Sequence, residues 1–323
     1  MSFIIVCLIG FAASFALLCI LMPVYIRTLK QHKINQEVSE YSLEEYKQKS
    51  KTPIMGGLLF VIVPLIVFFT IRGRILTERS TLLVILSCVF FCLVGFADDI
   101  LIILRHDNNG LSPKVKLIME FLFVILLYFL FRDVISNSVY VPFLKLAVRL
   151  PWWGFLPFMV LLYLAEANAV NFTDGMDGLC AGVSVFALSA FAVLSYIKAD
   201  YNLVILIVCI IGGLLGYLVF NHFPAKIFMG DSGSLALGGL FASIAVVLDS
   251  EIALFFIGGV FVWEMFCVVL QLSCVKLFHK RIFRYTPIHY AFVLKGMKEV
   301  KVVALFYVIA FICAAVGLFI GVH

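Results

Sequence analysis

Long apolar runs follow one another along the whole chain, and short polar segments that hold most of the charged residues separate them. A helix needs roughly 20 apolar residues to cross the hydrocarbon core of a bilayer. We predict a membrane helix in each of ten segments, namely residues 3–26, 53–71, 81–97, 117–133, 155–170, 179–197, 203–221, 233–249, 252–275 and 302–321. No fixed-period repeat, linker or low-complexity stretch interrupts them. The pattern therefore predicts an all-α fold: a polytopic membrane protein of ten transmembrane helices, with residues 1–323 forming a single domain.

Composition agrees with this class. Of the 323 residues, 64% are hydrophobic and 13% are charged, whereas soluble domains are about half apolar and about a quarter charged. No basic segment precedes the first apolar run and no small-residue cleavage site is evident, so we interpret it as a retained membrane helix. The nine cysteines are scattered without a Cys-x-x-Cys pair, which favours core thiols over disulfides or zinc. The net charge of +5 is modest and predicts no nucleic-acid partner.

The distribution of basic residues predicts the orientation. The segments that follow predicted helices 1, 3, 5, 7 and 9 hold 17 of the 24 Lys and Arg residues. Because cytoplasmic loops are enriched in these residues, we place those segments in the cytoplasm and both termini outside. Trp152 and Trp153 then lie at the outer interface, where aromatic residues are typical.

Five aspartates follow odd-numbered predicted helices within short glycine-containing motifs. Asp98 and Asp99 follow helix 3, Asp174 and Asp177 follow helix 5, and Asp231 follows helix 7. The orientation therefore puts all five on the cytoplasmic face. Carboxylates beside lipid are costly and usually belong to a functional site. Because converging carboxylates repel one another unless a cation neutralises them, and because hard oxygen ligands suit Mg²⁺, the pattern predicts magnesium-assisted phosphate chemistry. Helix capping is the alternative for any single Asp-Gly pair.

Amide side chains accompany the aspartates. Asn168 and Asn171 lie three residues apart at the end of predicted helix 5, where they could read a sugar or a base by hydrogen bonds. Lys49 in the first cytoplasmic segment, and Lys114 and Lys116 before predicted helix 4, could hold phosphate oxygens. From composition alone, an inside-positive anchor is the favoured interpretation of these lysines.

Two glutamates interrupt apolar segments. Glu166 and Glu264 have no partner that the sequence identifies. We expect them to form hydrogen bonds between helices rather than to take part in catalysis.

Read together, the polar motifs resemble those of the polyprenyl-phosphate N-acetylhexosamine-1-phosphate transferase superfamily. The resemblance rests on residues 52–57 (TPIMGG), 96–99 (FADD), 168–179 (NAVNFTDGMDGL) and 228–239 (FMGDSGSLALGG). Residues 258–264, 271, 280–284, 287–289 and 294–296 favour the branch that transfers phospho-N-acetylmuramoyl-pentapeptide. The resemblance covers nearly the whole chain.

The resemblance implies a ten-helix enzyme of the bacterial plasma membrane with a cytoplasmic cleft. In that cleft undecaprenyl phosphate would attack the β-phosphate of UDP-N-acetylmuramoyl-pentapeptide, giving lipid I and UMP, with Mg²⁺ as the cofactor. The resemblance is also compatible with a homodimer. By similarity Asp231 is the magnesium ligand, Asp98 or Asp99 is a base or orients substrate, and Phe228 stacks on uracil. The predicted catalytic residues are Asp98, Asp99, Asp231 and His289. The predicted substrate-binding residues are Lys49, Lys114, Lys116, Asn168, Asn171, Asp174, Asp177, Phe228 and Gln271.

The chain departs from the family pattern at two places. The family usually has three consecutive histidines where this chain has His289, Tyr290 and Ala291. A lysine that usually follows the paired aspartates is replaced by Ile102, and His106 is a weak substitute at neutral pH. The alternatives are therefore transfer of N-acetylglucosamine-1-phosphate or a related sugar phosphate, or a divergent paralogue of low activity. A transporter is disfavoured, because transporter sites lie near the bilayer midplane and these carboxylates lie at helix ends.

Overall fold

The fold is known from a computed structural model that describes residues 2–32, 34, 52–73, 78–105 and 110–322. These residues form α1 (Phe3–Gln31), α2 (Gly56–Arg72), α3 (Arg79–Arg105), α4 (Pro113–Leu130), α5 (Trp152–Thr173), α6 (Leu179–Ile197), α7 (Tyr201–Asn221), α8 (Asp231–Val247), α9 (Glu251–Ile257), α10 (Gly259–Phe278), α11 (Ile288–Leu294) and α12 (Glu299–Val322). Strands β1 (Ser138–Val141) and β2 (Leu146–Arg149) form an antiparallel hairpin between α4 and α5.

The predicted all-α, polytopic membrane class is confirmed, while the count of ten spans stays a prediction. Among the described residues, seven helices are long and apolar enough to cross a membrane: α1, α3, α5, α6, α7, α10 and α12. Helices α2 and α8 are also apolar but have 17 residues each. The ninth predicted segment forms two helices, α9 and α10, which meet at Gly258. Large apolar side chains stay exposed along α1, α10 and α12, as lipid-facing surfaces require.

Two predicted helix boundaries are wrong in a way that matters for the site. Predicted helix 3 ends at residue 97, but α3 continues to Arg105, so Asp98 and Asp99 lie inside the helix and not after it. Predicted helix 5 ends at residue 170, but α5 continues to Thr173 and includes Asn171. The length of an apolar run indicates only the part of a helix that lies in the hydrocarbon core, not where the helix ends. The helix itself continues wherever its polar side chains find partners on neighbouring helices.

Helix α8 is the centre of the bundle, buried from Ser232 to Val246 and packed against α2, α3 and α5. Small residues allow these close contacts, as in other membrane helix pairs. Gly57 of α2 lies against Gly233 of α8, and Gly95 of α3 lies against the backbone of Asp231. The start of α8 is therefore fixed from two sides by neighbouring backbone.

Candidate active site

Asp231 is the first residue of α8, and its carboxylate is held from two sides. Asn171 Nδ2 of α5 donates to Asp231 Oδ1 at 2.8 Å. Lys116 Nζ of α4 forms an ion pair with Asp231 Oδ2 and lies 3.8 Å from Asp98 Oδ1 of α3. The Asp231 cluster (Asp98, Lys116, Asn171 and Asp231) thus joins four helices. The structure brings the three aspartate motifs together at one end of the bundle, as the sequence predicts.

The two consecutive aspartates of α3 have different surroundings. Asp99 is buried and accepts hydrogen bonds from the backbone N–H groups of Asp231 and Ser232, at 3.0 and 3.1 Å. Those groups are unsatisfied donors at the first turn of α8, where a negative charge is also favoured by the helix dipole. Asp98 instead faces Lys116 and accepts from Leu111 N at 2.8 Å. Asp99 therefore fixes the start of α8, while Asp98 belongs to the charged cluster itself.

The loop before α8 is tied to the segment before α2 by backbone hydrogen bonds. Gly56 N donates to Phe228 O at 2.8 Å, Gly57 N to Met229 O at 2.9 Å, and Phe228 N to Pro53 O at 2.8 Å. These hydrogen bonds pair the backbone of the 52–57 motif with the first residues of the 228–239 motif. The Phe228 ring is half-buried beside the cluster-bearing end of α8.

The loop between α5 and α6 is fixed by four residues from distant elements. Asp177 accepts from Ala225 N at 2.9 Å, and its own N–H donates to Glu299 Oε1 at 2.9 Å. Gly178 N donates to Asn221 Oδ1 at 3.0 Å, and Tyr307 donates its hydroxyl to Gly178 O at 2.7 Å. Asp177 consequently holds the loop in place from a buried position.

Asp174, in the same loop, is influenced by the negative charge of Asp231. Burial, together with the negative charges of Asp231 and Asp177, raises the pKa of Asp174 to about 7. A carboxylate that feels two others responds in this way when no cation separates them. Asp174 therefore feels the charge of the Asp231 cluster across the loop after α5.

His289 is placed by Glu264. The Glu264 carboxylate accepts from Ile288 N at 2.7 Å and from His289 N at 3.2 Å, and it lies 3.0 Å from His289 Nδ1. The hydrogen bonding between helices expected of Glu264 is therefore confirmed. For Glu166, Oε1 has no hydrogen-bond partner among the described residues. The His289 ring is fully buried, and its Nε2 lies against Gly175, which fits a positioning role better than contact with substrate.

Tyr290 occupies the position of the second family histidine. Its hydroxyl donates to Gly175 O at 2.9 Å, so α11 is bonded to the loop that carries Asp174 and Asp177. Ala291 is buried in the packing beneath. Where the family usually has a second histidine, this chain therefore has a tyrosine that binds the loop after α5 directly.

Several predicted substrate-binding residues lie apart from the Asp231 cluster. Asn168 Nδ2 donates to Leu164 O of its own helix at 2.8 Å. Gln271 accepts from Ile282 N and Phe283 N, both at 3.0 Å, and so orders the segment after α10. Lys114 is exposed on the first turn of α4. Lys49 lies outside the described residues. The roles of these four residues stay predictions.

Sequence reasoning missed some residues that shape the site. Ser234 accepts from Asn171 Nδ2 at 2.9 Å, and its spacing of three from Asp231 on one helix was an available signal. Asn221, Glu299 and Tyr307 lie 43 to 129 positions from their partners, and no local pattern points to them.

The donor set fits a cation that is shared with a bound phosphate. Within the described residues, no three His, Cys, Asp or Glu side chains group closely enough to hold a metal by themselves. Mg²⁺ usually binds proteins through one or two carboxylates, with phosphate and water completing its six ligands. The partly exposed Asp231 carboxylate, with Asp98 on the other side of Lys116, supplies that kind of incomplete set.

Comparisons with known proteins identify the family of the chain. The sequence profile of glycosyl transferase family 4 matches residues 81–249, which include Asp98, Asn171 and Asp231. Phospho-N-acetylmuramoyl-pentapeptide-transferase of Staphylococcus aureus (strain bovine RF122 / ET3-1) is 39% identical over 311 residues, covering 94% of this chain and 96% of that protein. The protein of the same name from Staphylococcus carnosus (strain TM300) is 37% identical over 317 residues, covering 96% of this chain and 98% of that protein. The chain therefore belongs to the phospho-N-acetylmuramoyl-pentapeptide-transferase family.

Proposed function

We propose that this chain transfers phospho-N-acetylmuramoyl-pentapeptide from UDP to undecaprenyl phosphate in the bacterial plasma membrane. The products are lipid I, an intermediate of peptidoglycan synthesis, and UMP. The observation that carries the proposal is the Asp231 carboxylate, held between Asn171 and Lys116 beside Asp98 at one end of a membrane bundle. Relatives that match 94% and 96% of the chain bear the name of this activity.

The proposed site is cytoplasmic and uses Mg²⁺. Asp231 would be the primary ligand, and Asp98, which shares Lys116 with it, would be the second carboxylate beside the ion. The bound ion would neutralise the diphosphate and stabilise UMP as it leaves. Asn171 holds the Asp231 carboxylate in place through Oδ1, and Oδ2, which pairs with Lys116 in this structure, would be the oxygen that takes the ion.

The chain itself mainly aligns two polyanions. An oxygen of undecaprenyl phosphate forms the new bond to the β-phosphorus, and the bond from that phosphorus to the oxygen of UMP breaks. The attacking phosphate is already anionic at neutral pH, so a strong base contributes little. Alignment and charge neutralisation then supply most of the acceleration. Lys116 is placed to bind phosphate oxygens, and Asp98 to orient the ammonium of Lys116.

The nucleotide would occupy the side of the site formed by the loops after α5 and before α8. Phe228 is proposed to stack on uracil, and Asp174 to bind the nucleotide. We further propose that Lys49 and Lys114 contact phosphates, that residues 1–323 form one domain, and that both termini lie outside. His289 would act by holding α11 against the Asp174 loop.

The test is a transfer assay on the purified chain in detergent. Radiolabelled UDP-N-acetylmuramoyl-pentapeptide should give labelled lipid with undecaprenyl phosphate, whereas UDP-N-acetylglucosamine should not. Chelation of Mg²⁺ should abolish the product. Asp231→Asn should abolish turnover while the protein still folds, because the amide keeps the size of the side chain and loses its charge.

The matched control is Asp249→Asn. Asp249 bonds Ser136, away from the Asp231 cluster, so this variant should keep full activity. Preferential use of UDP-N-acetylglucosamine would assign the chain to the sugar-phosphate branch instead. Undiminished turnover by Asp231→Asn would refute the metal assignment.

A further inference from the structure

Glu120 is a buried carboxylate that the proposed mechanism does not use. It lies in α4, one helical turn after Lys116, and its side chain has no solvent exposure. Neither of its oxygens has a hydrogen-bond partner among the described residues. Burying an unpartnered carboxylate is costly, and more so in a membrane bundle. A residue of this kind stays protonated unless a cation reaches it.

Lys116 is the cation that can supply this partner. Residues four apart on a helix share a face, with their Cβ atoms about 5–6 Å apart. Glu120 is attracted electrostatically to Lys116 and repelled by Asp231. The lysine ammonium has three N–H donors on a flexible stem, so it can turn from one carboxylate to the other without movement of the helix.

The Lys116–Asp231 ion pair and a cation on Asp231 exclude each other. The ammonium occupies Oδ2 of Asp231, and Asn171 occupies Oδ1. A divalent cation that binds Oδ2 must displace the ammonium, because two positive charges within bonding distance of one oxygen repel strongly. The displaced ammonium then has two acidic residues to turn to: Asp98, which lies 3.8 Å from it in this structure, and Glu120, one helical turn away.

We propose that Glu120 is a positioning residue that receives the Lys116 ammonium when a divalent cation binds Asp231. This inference rests on the proposed function, which places that cation there. No covalent step is involved, and only the ion pair moves. Whatever free energy Glu120 contributes to the displaced position of the Lys116 ammonium is therefore added to the free energy of cation binding at Asp231. Glu120 thereby keeps Lys116 beside the cluster while Asp231 is free to hold the metal.

The test measures Mg²⁺ binding to the full chain in detergent without substrate, by isothermal titration at one pH. Glu120→Gln should weaken Mg²⁺ binding about tenfold, equivalent to about 1.4 kcal/mol, because Lys116 then has only Asp231 and Asp98 as partners. Lys116→Gln removes the competitor and should tighten binding. In the Lys116→Gln background, Glu120→Gln should have no further effect, since the two residues act as a unit.

Glu251→Gln is the matched control for burial. Glu251 is likewise buried with both oxygens unpartnered among the described residues, but it lies at the start of α9, outside the cluster. Its replacement should leave Mg²⁺ affinity unchanged. If Glu120→Gln does not elute as a folded protein, Glu120→Asp, which keeps the charge but shortens the reach toward Lys116, replaces it in the same cycle.

Each outcome separates the inference from the proposed function. Mg²⁺ affinity equal to that of the unmodified chain in Glu120→Gln would refute the inference alone. An undiminished effect of Glu120→Gln in the Lys116→Gln background would show that Glu120 attracts the cation directly, and would also overturn it. Absence of saturable Mg²⁺ binding by the unmodified chain, or its persistence in Asp231→Asn, would instead refute the metal assignment.

Discussion

Gly95→Ala should separate α3 from the start of α8 and so misplace Asp231. A Cβ at position 95 would lie 2.5 Å from Ser232 N and closer still to the carbonyl group of Asp231. Ordinary van der Waals contact begins at 3.4 Å. Both neighbours are backbone atoms of a buried helix, so no flexible side chain can move aside. The two helices must therefore move apart by about 1 Å or more.

The magnitude follows from this displacement. Overpacking a close helix contact costs about 1–3 kcal/mol of stability. A misplacement of about 1 Å in a catalytic constellation can cost roughly 100-fold in rate. The hydrogen bonds from Asp231 N and Ser232 N to Asp99, now 3.0 and 3.1 Å, would lengthen beyond useful geometry. We expect a rate loss of roughly 100-fold, with a protein that still folds.

The assay is lipid-linked product formation, with thermal unfolding measured on the same preparation. Gly154→Ala is the matched control, because Gly154 lies in helix α5 and the nearest atoms to an added Cβ are at 3.7 Å. This variant should keep its activity and its stability. If Gly95→Ala keeps more than about a tenth of the rate, α3 does not set the position of Asp231 and the reasoning fails.

Three further predictions concern buried carboxylates. Asp99→Asn should lower stability by roughly 1–3 kcal/mol, because its NH₂ group cannot accept the backbone N–H that one of the two carboxyl oxygens accepts at the first turn of α8; an unchanged unfolding temperature would contradict this. Glu264→Ala should leave the backbone donors of α11 unpaired and lower the transfer rate through His289, and proteolysis within residues 279–298 should become faster than in the unmodified chain. Burial raises the pKa of Glu251 to about 8 from its ordinary 4.5. Because the folded-state value is the higher one, this carboxyl stays protonated in the native protein and ionises on unfolding, so stability should fall as pH rises from about 4.5 to about 8. Glu251→Gln should remove that decline from the unfolding temperature, and a parallel decline in both proteins would refute the assignment.

The sequence by itself determined the class of protein and indicated the chemistry proposed for its site. Apolar runs must match the thickness of a bilayer, and a spanning helix satisfies its own backbone hydrogen bonds, so length and hydrophobicity were enough to predict an all-α polytopic membrane protein. The alternation of basic segments put Asp98, Asp174 and Asp231 at one end, and the structure brings their motifs together there. Because aspartates offer hard oxygen ligands, their presence then indicated a hard cation and phosphate chemistry as the proposal for this site.

Only the tertiary structure decided what each polar residue does. Asp98 and Asp99 are neighbours in sequence, yet one faces Lys116 and the other caps α8, because the helix turns them about 100° apart toward different partners. Lys116 reaches Asp231 from 115 positions away, whereas Lys114 is exposed on the same helix. Local pattern fixes which residues are buried or polar along one helix. Hydrogen bonds and ion pairs between distant helices depend on how the helices pack, and that arrangement gives Asp99 and Glu264 their positioning roles.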